Sequence, residues 1–400
     1  MTFEELTNKL GVADHLPLPP GYYPVPKERE NELCSLAMID SLQEKYGIFS
    51  EYYQAVREGF LDMDNDPLRK AYLDSISLYF KDATLEQARE IKYPQSVNTP
   101  ASNMLPLLVH LPSIENTYKI FRNRGFNHEE TLSCLSIYAK YLREEEMYRT
   151  KIIGISGPIS NWMSRFTKGT IFYLGDGGLN FQPIKLPDVF PTILMNKKDK
   201  RYVPIYTNNS RIHKSGVPFG SAGAKDTEGL FLTSYEETQD AFIGHCANGR
   251  TVSNEPQIFS KSEWELVLSP GDDVISVHIF WDADLSPNIV DTAFKKGIKR
   301  AIECYPEFNF KALYTCTWLI SPEVNDALGE NSKLSQFASR FVRFPVVSDG
   351  KSVIRHVFPN NNVNNLNDLV ENTSLQRAFK AKMLAGEFIY NTRGVIPLNL

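Results

Sequence analysis

The side chains able to move a proton or attack a carbonyl are few and widely spaced along the 400 residues. His278 lies in the apolar run Val274 to Phe280. An imidazole titrates near neutrality, and at a strand edge it can point into a cleft as a general base. A core histidine bonded to neighbouring backbone fits the same pattern. His213, in the stretch IHKSG, carries the same pair of readings. Glu236 and Glu237 offer a carboxylate base if partly buried, or an acidic cap at a helix start. Cys316 sits between Thr315 and Thr317 in a β-rich run. It could act as a nucleophile only with an imidazole beside it and a depressed pKa. Trp318 suits a core or a pocket wall, and Ser332 suits a helix cap.

Other chemistries find no pattern. The histidines (His15, His110, His128, His213, His245, His278, His356) show no HExxH or other ligand spacing, so no metal is expected. The run Asp62 to Asp66 lacks the glycine and distal glutamate of a calcium loop. The five cysteines form no CxxC pair, which argues against both a zinc ribbon and a disulfide framework. Gly216, Gly220 and Gly223 follow no dinucleotide fingerprint.

Composition is that of a globular chain, with 42% hydrophobic and 23% charged residues. A net charge of −5, without a long basic run, argues against nucleic acid as partner. No stretch reaches the roughly 20 apolar residues of a membrane span, and the N-terminus has no signal-peptide pattern. The expectation is a cytoplasmic protein with a small-molecule partner and no membrane partner; oligomeric state stays open.

The elements that must position these residues fall into two halves. Residues 1–26 read as a short helix and a proline-rich arm, and 27–165 as an all-helical domain. Thr84 with Gln87 and Asn127 with Glu130 predict capping boxes. The helix from Asn127 should carry Leu132, Leu135, Tyr138 and Leu142 on one face, ending in a solvated charge run, Arg143 to Arg149. From about residue 166 the pattern changes, with a hairpin across Asp176–Gly178 and short β runs, and a short helix expected at Ser262 to Leu268. Val274 to Phe280 reads as a strand. Ser286 caps a helix beginning at Pro287, with Val290, Phe294, Ile298 and Ile302 inward, and Leu313 to Ile320 is a second strand. Strand, helix, strand in so short a span implies a crossover between parallel strands. The loop into the Pro287 helix presents unpaired N–H groups that can hold a phosphate. A helix from Leu334, a hairpin turned at Ser348–Gly350 and a last helix from Leu366 to Leu384 complete the reading. The Asn360 to Asn365 run is a linker.

The stretches DDVISVHIFWDADLSP, TCTWLISPEV and SKLSQFASRF resemble the signatures of a bacterial family of acyltransferase domain-containing proteins. That family joins a helical N-acyltransferase N-terminal domain to a GNAT-like C-terminal domain. IHKSG, the YEET…GH stretch and TSLQRA fit the same resemblance, which covers about residues 30 to 390. It implies an α+β chain: an all-helical N-terminal domain followed by a GNAT-like mixed sheet domain (166–345), with 346–400 as a hairpin and helix extension. It also implies that acyl-CoA or acetyl-CoA lies where two parallel strands splay, lined by Ile279, Phe280, Leu285, Ser286, Cys316 and Trp318. An amine would be the acyl acceptor, with His278, His213, Glu237 or Ser332 supplying proton transfer. One departure stands out. The Gln/Arg-x-x-Gly-x-Gly/Ala loop of GNAT enzymes is replaced by Trp281 to Ser286, whose Asp282 and Asp284 would repel phosphate at close range. Two alternatives remain: a GNAT-derived binding or sensing module without catalysis, and a hydrolase pairing Cys316 with His278.

Overall fold

The computed structural model describes every residue except 13, 16, 95–99, 150, 359–364 and 399–400. Most of the expected asparagine linker therefore lies outside the described residues. The chain divides into two compact units, Met1–Gly175 and Asp176–Leu400.

The first unit is helical. Both expected capping boxes form, at Thr84 and Asn127. The long helix expected after Asn127 is two helices, His128–Leu135 and Ile137–Glu144, broken at Ser136. Ser136 donates its hydroxyl back to the Ser133 carbonyl at 2.8 Å, a local bond that competes with helical continuation. The charge run beyond is not simply solvated: Glu144 and Glu145 are buried, and Arg149 pairs with Glu144 at 2.6 Å. At the centre, His110 is fully buried between Thr167 and Ser160, each hydroxyl 2.8 Å from a ring nitrogen. Burial pushes its pKa down to about 3.

The second unit is built on a mixed sheet of strands β1 (Leu179–Lys185), β2 (Asp273–Ile279), β3 (Phe310–Thr317), β4 (Val342–Pro345) and β5 (Thr392–Pro397). Their spatial order is β1-β2-β3-β5-β4. Only β2 and β3 run parallel, joined by helix α1 (Pro287–Cys304), as the strand–helix–strand pattern predicts. Helix α1 is rotated from its expected face. It buries Val290, Ala293, Phe294, Gly297 and Ala301, while Ile302 is 41% exposed. The cause is Phe181 on β1. A Cβ at Gly297 would stand 2.4 Å from its ring, so the helix turns its small residues toward the aromatic.

Further sequence expectations are corrected. Ser262 to Leu268 is not a helix: Trp264–Leu268 is a strand paired with Thr192–Asn196. Glu236 and Glu237 do not start a helix but lie in the strand Tyr235–Glu237. Residues 346–400 are not an appendage, since β5 is inserted between β3 and β4 and pairs with both. The turn at Ser348–Gly350 leads into a helix, Ser352–Val357, rather than a hairpin. The last helix is Ser374–Leu384, started by a Thr373/Gln376 capping box.

Side chains alternate across each strand. On the side opposite Gly394, which packs on Ile320 and Phe341, lie Val274, Ala312, Tyr314, Phe344 and Val395 of one core cluster. Alternation places Asn180, Gln182, Ser276, His278, Cys316 and Arg393 on that same side.

Candidate active site

The central feature is the opening between β2 and β3. Their ladder pairs Asp273 with Phe310 and ends at Ser276 with Tyr314. Each strand continues past that point against its other neighbour, β2 to Ile279 on β1 and β3 to Thr317 on β5. The parallel strands therefore part at their C-terminal ends while the rest of the sheet holds together. Phe280 N–H and Asp272 C=O bond toward the β1 side, so the odd-numbered backbone groups of β2 point toward β3. The Thr315 hydroxyl reaches across and donates to the Val277 carbonyl at 3.0 Å. Beyond it, the Ile279 amide edge has no rung to β3. Such an edge can accept an extended amide-bearing ligand as if it were another strand.

The loop from Phe280 to Ser286 follows β2 and leads into α1. Gly178, with φ +73, lets the turn before β1 lie against it: a Cβ there would meet Ala283 Cα at 2.8 Å. Ser286 is the N-cap residue of α1, but its hydroxyl donates to Asp284 Oδ1 instead of accepting from the helix. The Ser286 N–H donates to the same oxygen at 2.9 Å, and Lys333 stands 3.3 Å away. These Ser286 hydrogen bonds, then Lys333, hold the Asp284 carboxyl below its usual range. Asp284 thus sits at the helix N-terminus, where a bound phosphate would be held.

The candidate residues occupy several places. His278 is half-buried, its Nε2 3.0 Å from Gln182 Oε1 across the β1–β2 ladder. It stands two residues past the last β2–β3 rung, as does Cys316 on the other strand. The sulfur of Cys316 is surrounded by enough protein that burial raises its pKa, opposed by Arg393, although the residue keeps an exposed edge. A thiol so held is a poor nucleophile. Ile279 ends β2, Phe280 follows it, and Leu285 is a buried residue of the loop. Trp318 belongs to a separate apolar cluster, packed edge-on against Phe379.

His213 is in another part of the unit. It is buried, with Nδ1 2.7 Å from Ser215 Oγ and Nε2 3.0 Å from Asp226 Oδ2. Glu237 is on an exposed strand, paired with Lys261 at 2.7 Å. Ser332 caps the helix Lys333–Ala338: its oxygen accepts from Ser335 N–H, and its hydroxyl donates to Ser335 Oγ. Of the four proton-transfer candidates, His278 is the one beside the opening.

Residues not singled out from sequence complete the site. Asn180 pairs with His278 in register and is 2% exposed, with an Oδ1 that meets no hydrogen-bond donor. Asn180 and Gln182 alternate with Leu179 and Phe181, a two-residue polar period that could have flagged them. Tyr314 is pushed up to about 12 by burial, and its hydroxyl neighbours Arg393 and Cys316. Among the described residues, no group of three or more His, Cys, Asp or Glu side chains could hold a metal ion, and no helix is long and apolar enough to cross a membrane.

Comparison with known proteins fits this architecture. A GNAT-like C-terminal domain matches residues 172–396. The fold resembles the solved structure of an acyltransferase in complex with decanoyl-CoA and teicoplanin. The TM-score is 0.62 at 14% identity, and the match covers 100% of both chains. An acyltransferase in complex with CoA and 10C-teicoplanin aligns equally, with TM-score 0.62, 14% identity and 100% of both chains. A mutant acyltransferase in complex with octanoyl-CoA gives 0.60 at 14% identity, again over 100% of both chains. No curated protein matches the sequence.

Proposed function

The chain belongs to the family defined by the GNAT-like C-terminal domain, and from that premise we propose that it is an acyl-CoA-dependent acyltransferase acting on an amine. The observation that carries this reading is the β2–β3 ladder that stops at Ser276 and Tyr314 while both strands run on. Acyl-CoA bound to the similar acyltransferase structures supports the same donor class here.

In this reading the pantetheine amides pair with the free edge at Ile279. The pyrophosphate approaches the first N–H groups of α1, at Asn288 and Ile289, and must displace or repel Asp284. The acceptor nitrogen attacks the thioester carbonyl; the C–N bond forms and the C–S bond breaks. His278 takes the proton released by nitrogen, and the CoA thiolate leaves and is protonated from solvent. General-base catalysis of this kind contributes about 100- to 10,000-fold.

The test is thiol release from acetyl-CoA and a longer acyl-CoA, with the full chain and a panel of amines. Amine-dependent release that falls at least 100-fold in His278→Ala supports the reading. Saturable acyl-CoA binding with no turnover by any amine would favour the alternative of a binding module, which Asp284 at the helix N-terminus favours. No acyl-CoA binding at all would remove the donor assignment.

A further inference from the structure

Arg393 is the residue in this region that the proposed chemistry leaves unused. It lies in the middle of β5, in register with Cys316 on one side and Phe344 on the other, on the sheet face that carries His278. Three other arginines of this unit meet carboxylates: Arg250 meets Glu323 and Asp326, Arg300 meets Glu303, and Arg340 meets Asp291. Among the described residues Arg393 meets none, and its Nε is buried without a hydrogen-bond partner. Its surroundings are the Tyr314 hydroxyl, the Cys316 thiol and the buried ring of Tyr206, all neutral at physiological pH, since burial raises the pKa of each.

A guanidinium is charged at every working pH, and a partly buried one without a counter-ion is costly. Its planar fork fits the two oxygens of a carboxylate or phosphate, and the Tyr314 hydroxyl adds a donor beside it. β5 lies two strands from β2, and β2 and β3 have parted at this level, which puts Arg393 at least about 10 Å from His278. We propose that Arg393, with the Tyr314 hydroxyl, holds a carboxylate or phosphate of the acyl acceptor, so that the acceptor is an anionic amine with its charges at least about 10 Å apart. The acceptor role rests on the acyltransferase reading; the oxyanion site itself does not.

Thermal-shift titrations of the full chain with acetate and with inorganic phosphate, at fixed ionic strength, test the site directly. Wild type should gain stability saturably with at least one anion, and the preferred anion identifies the acceptor's group. Arg393→Met should be no less stable than wild type, because it removes an uncompensated charge, and should lose the anion response. Arg393→Lys keeps the charge without the fork and should lose most of the response to acetate. In turnover, the kcat/KM preference for ω-aminooctanoate over octylamine should fall about tenfold in Arg393→Met. An unresponsive wild type, or an Arg393→Met protein that keeps the full response, overturns the site. So does a response abolished by saturating CoA, which would hand Arg393 to a donor phosphate. An anion response without acyl-CoA binding would leave the site standing and sink the acyltransferase reading.

Discussion

Replacing Gly297 by alanine sets two known effects against each other at the seam between α1 and the sheet. The backbone at Gly297 is ordinary helix, so alanine fits without strain and gains about 1 kcal/mol of helix propensity. Its Cβ, however, would lie 2.4 Å from Cε1 and Cζ of Phe181, a ring only 1% exposed and with little room to retreat. Overpacking of this kind costs about 1 to 3 kcal/mol. The contact is hard enough to put the cost toward the upper end, leaving a net loss of about 1 to 2 kcal/mol. In a unit of this size that lowers the melting temperature by about 2 to 8 °C. Urea and thermal unfolding of Gly297→Ala measure it, and the double variant with Phe181→Leu should recover most of the loss. An unchanged or higher melting temperature for Gly297→Ala would refute the packing argument and, with it, the reason given for the rotated helix.

Asp284→Asn keeps an oxygen for the Ser286 N–H but removes the charge at the start of α1. It should tighten CoA binding several-fold, most at low salt, by calorimetry; unchanged affinity would place the phosphates elsewhere. Cys316→Ala should leave acyl-CoA turnover within about twofold, because burial disfavours the thiolate; loss of turnover would revive the thiol mechanism. His110 titrates at about 3 in the folded chain and near 6.5 when unfolded, so the unfolded state binds the proton first on acidification. Stability should fall by about 1.4 kcal/mol per pH unit as pH drops from 6.5 toward 3. His110→Asn should flatten that slope, and an equally steep profile in the variant would contradict it.

Local signals in the sequence located the centre of the GNAT-like half well and its neighbours poorly. The run Val274 to Phe280, Ser286-Pro287 and the run Leu313 to Ile320 mark β2, α1 and β3, although β3 ends at Thr317 and Trp318–Ile320 is a short helical turn. Trp264–Leu268 was misleading for a physical reason. A register shift between Leu266 and Leu268 leaves its two buried residues four apart, the spacing of a helix face. The break at Ser136 was hidden because a serine inside a helical period reads as continuous. His278 was legible as an imidazole near a strand end. Arg393 was not, because nothing near residue 393 says that this strand will lie beside one formed 80 residues earlier. The site depends on strand order, which local periodicity does not encode.

The most direct test of the central claim is hydrogen exchange of the full chain with and without a saturating acyl-CoA. The ligand is expected to slow exchange at Ile279 and at the first amides of α1, Asn288 and Ile289, which are the groups assigned to pantetheine and pyrophosphate. Acyl-CoA that binds and protects other segments, leaving these amides unchanged, would contradict a donor site in the β2–β3 opening.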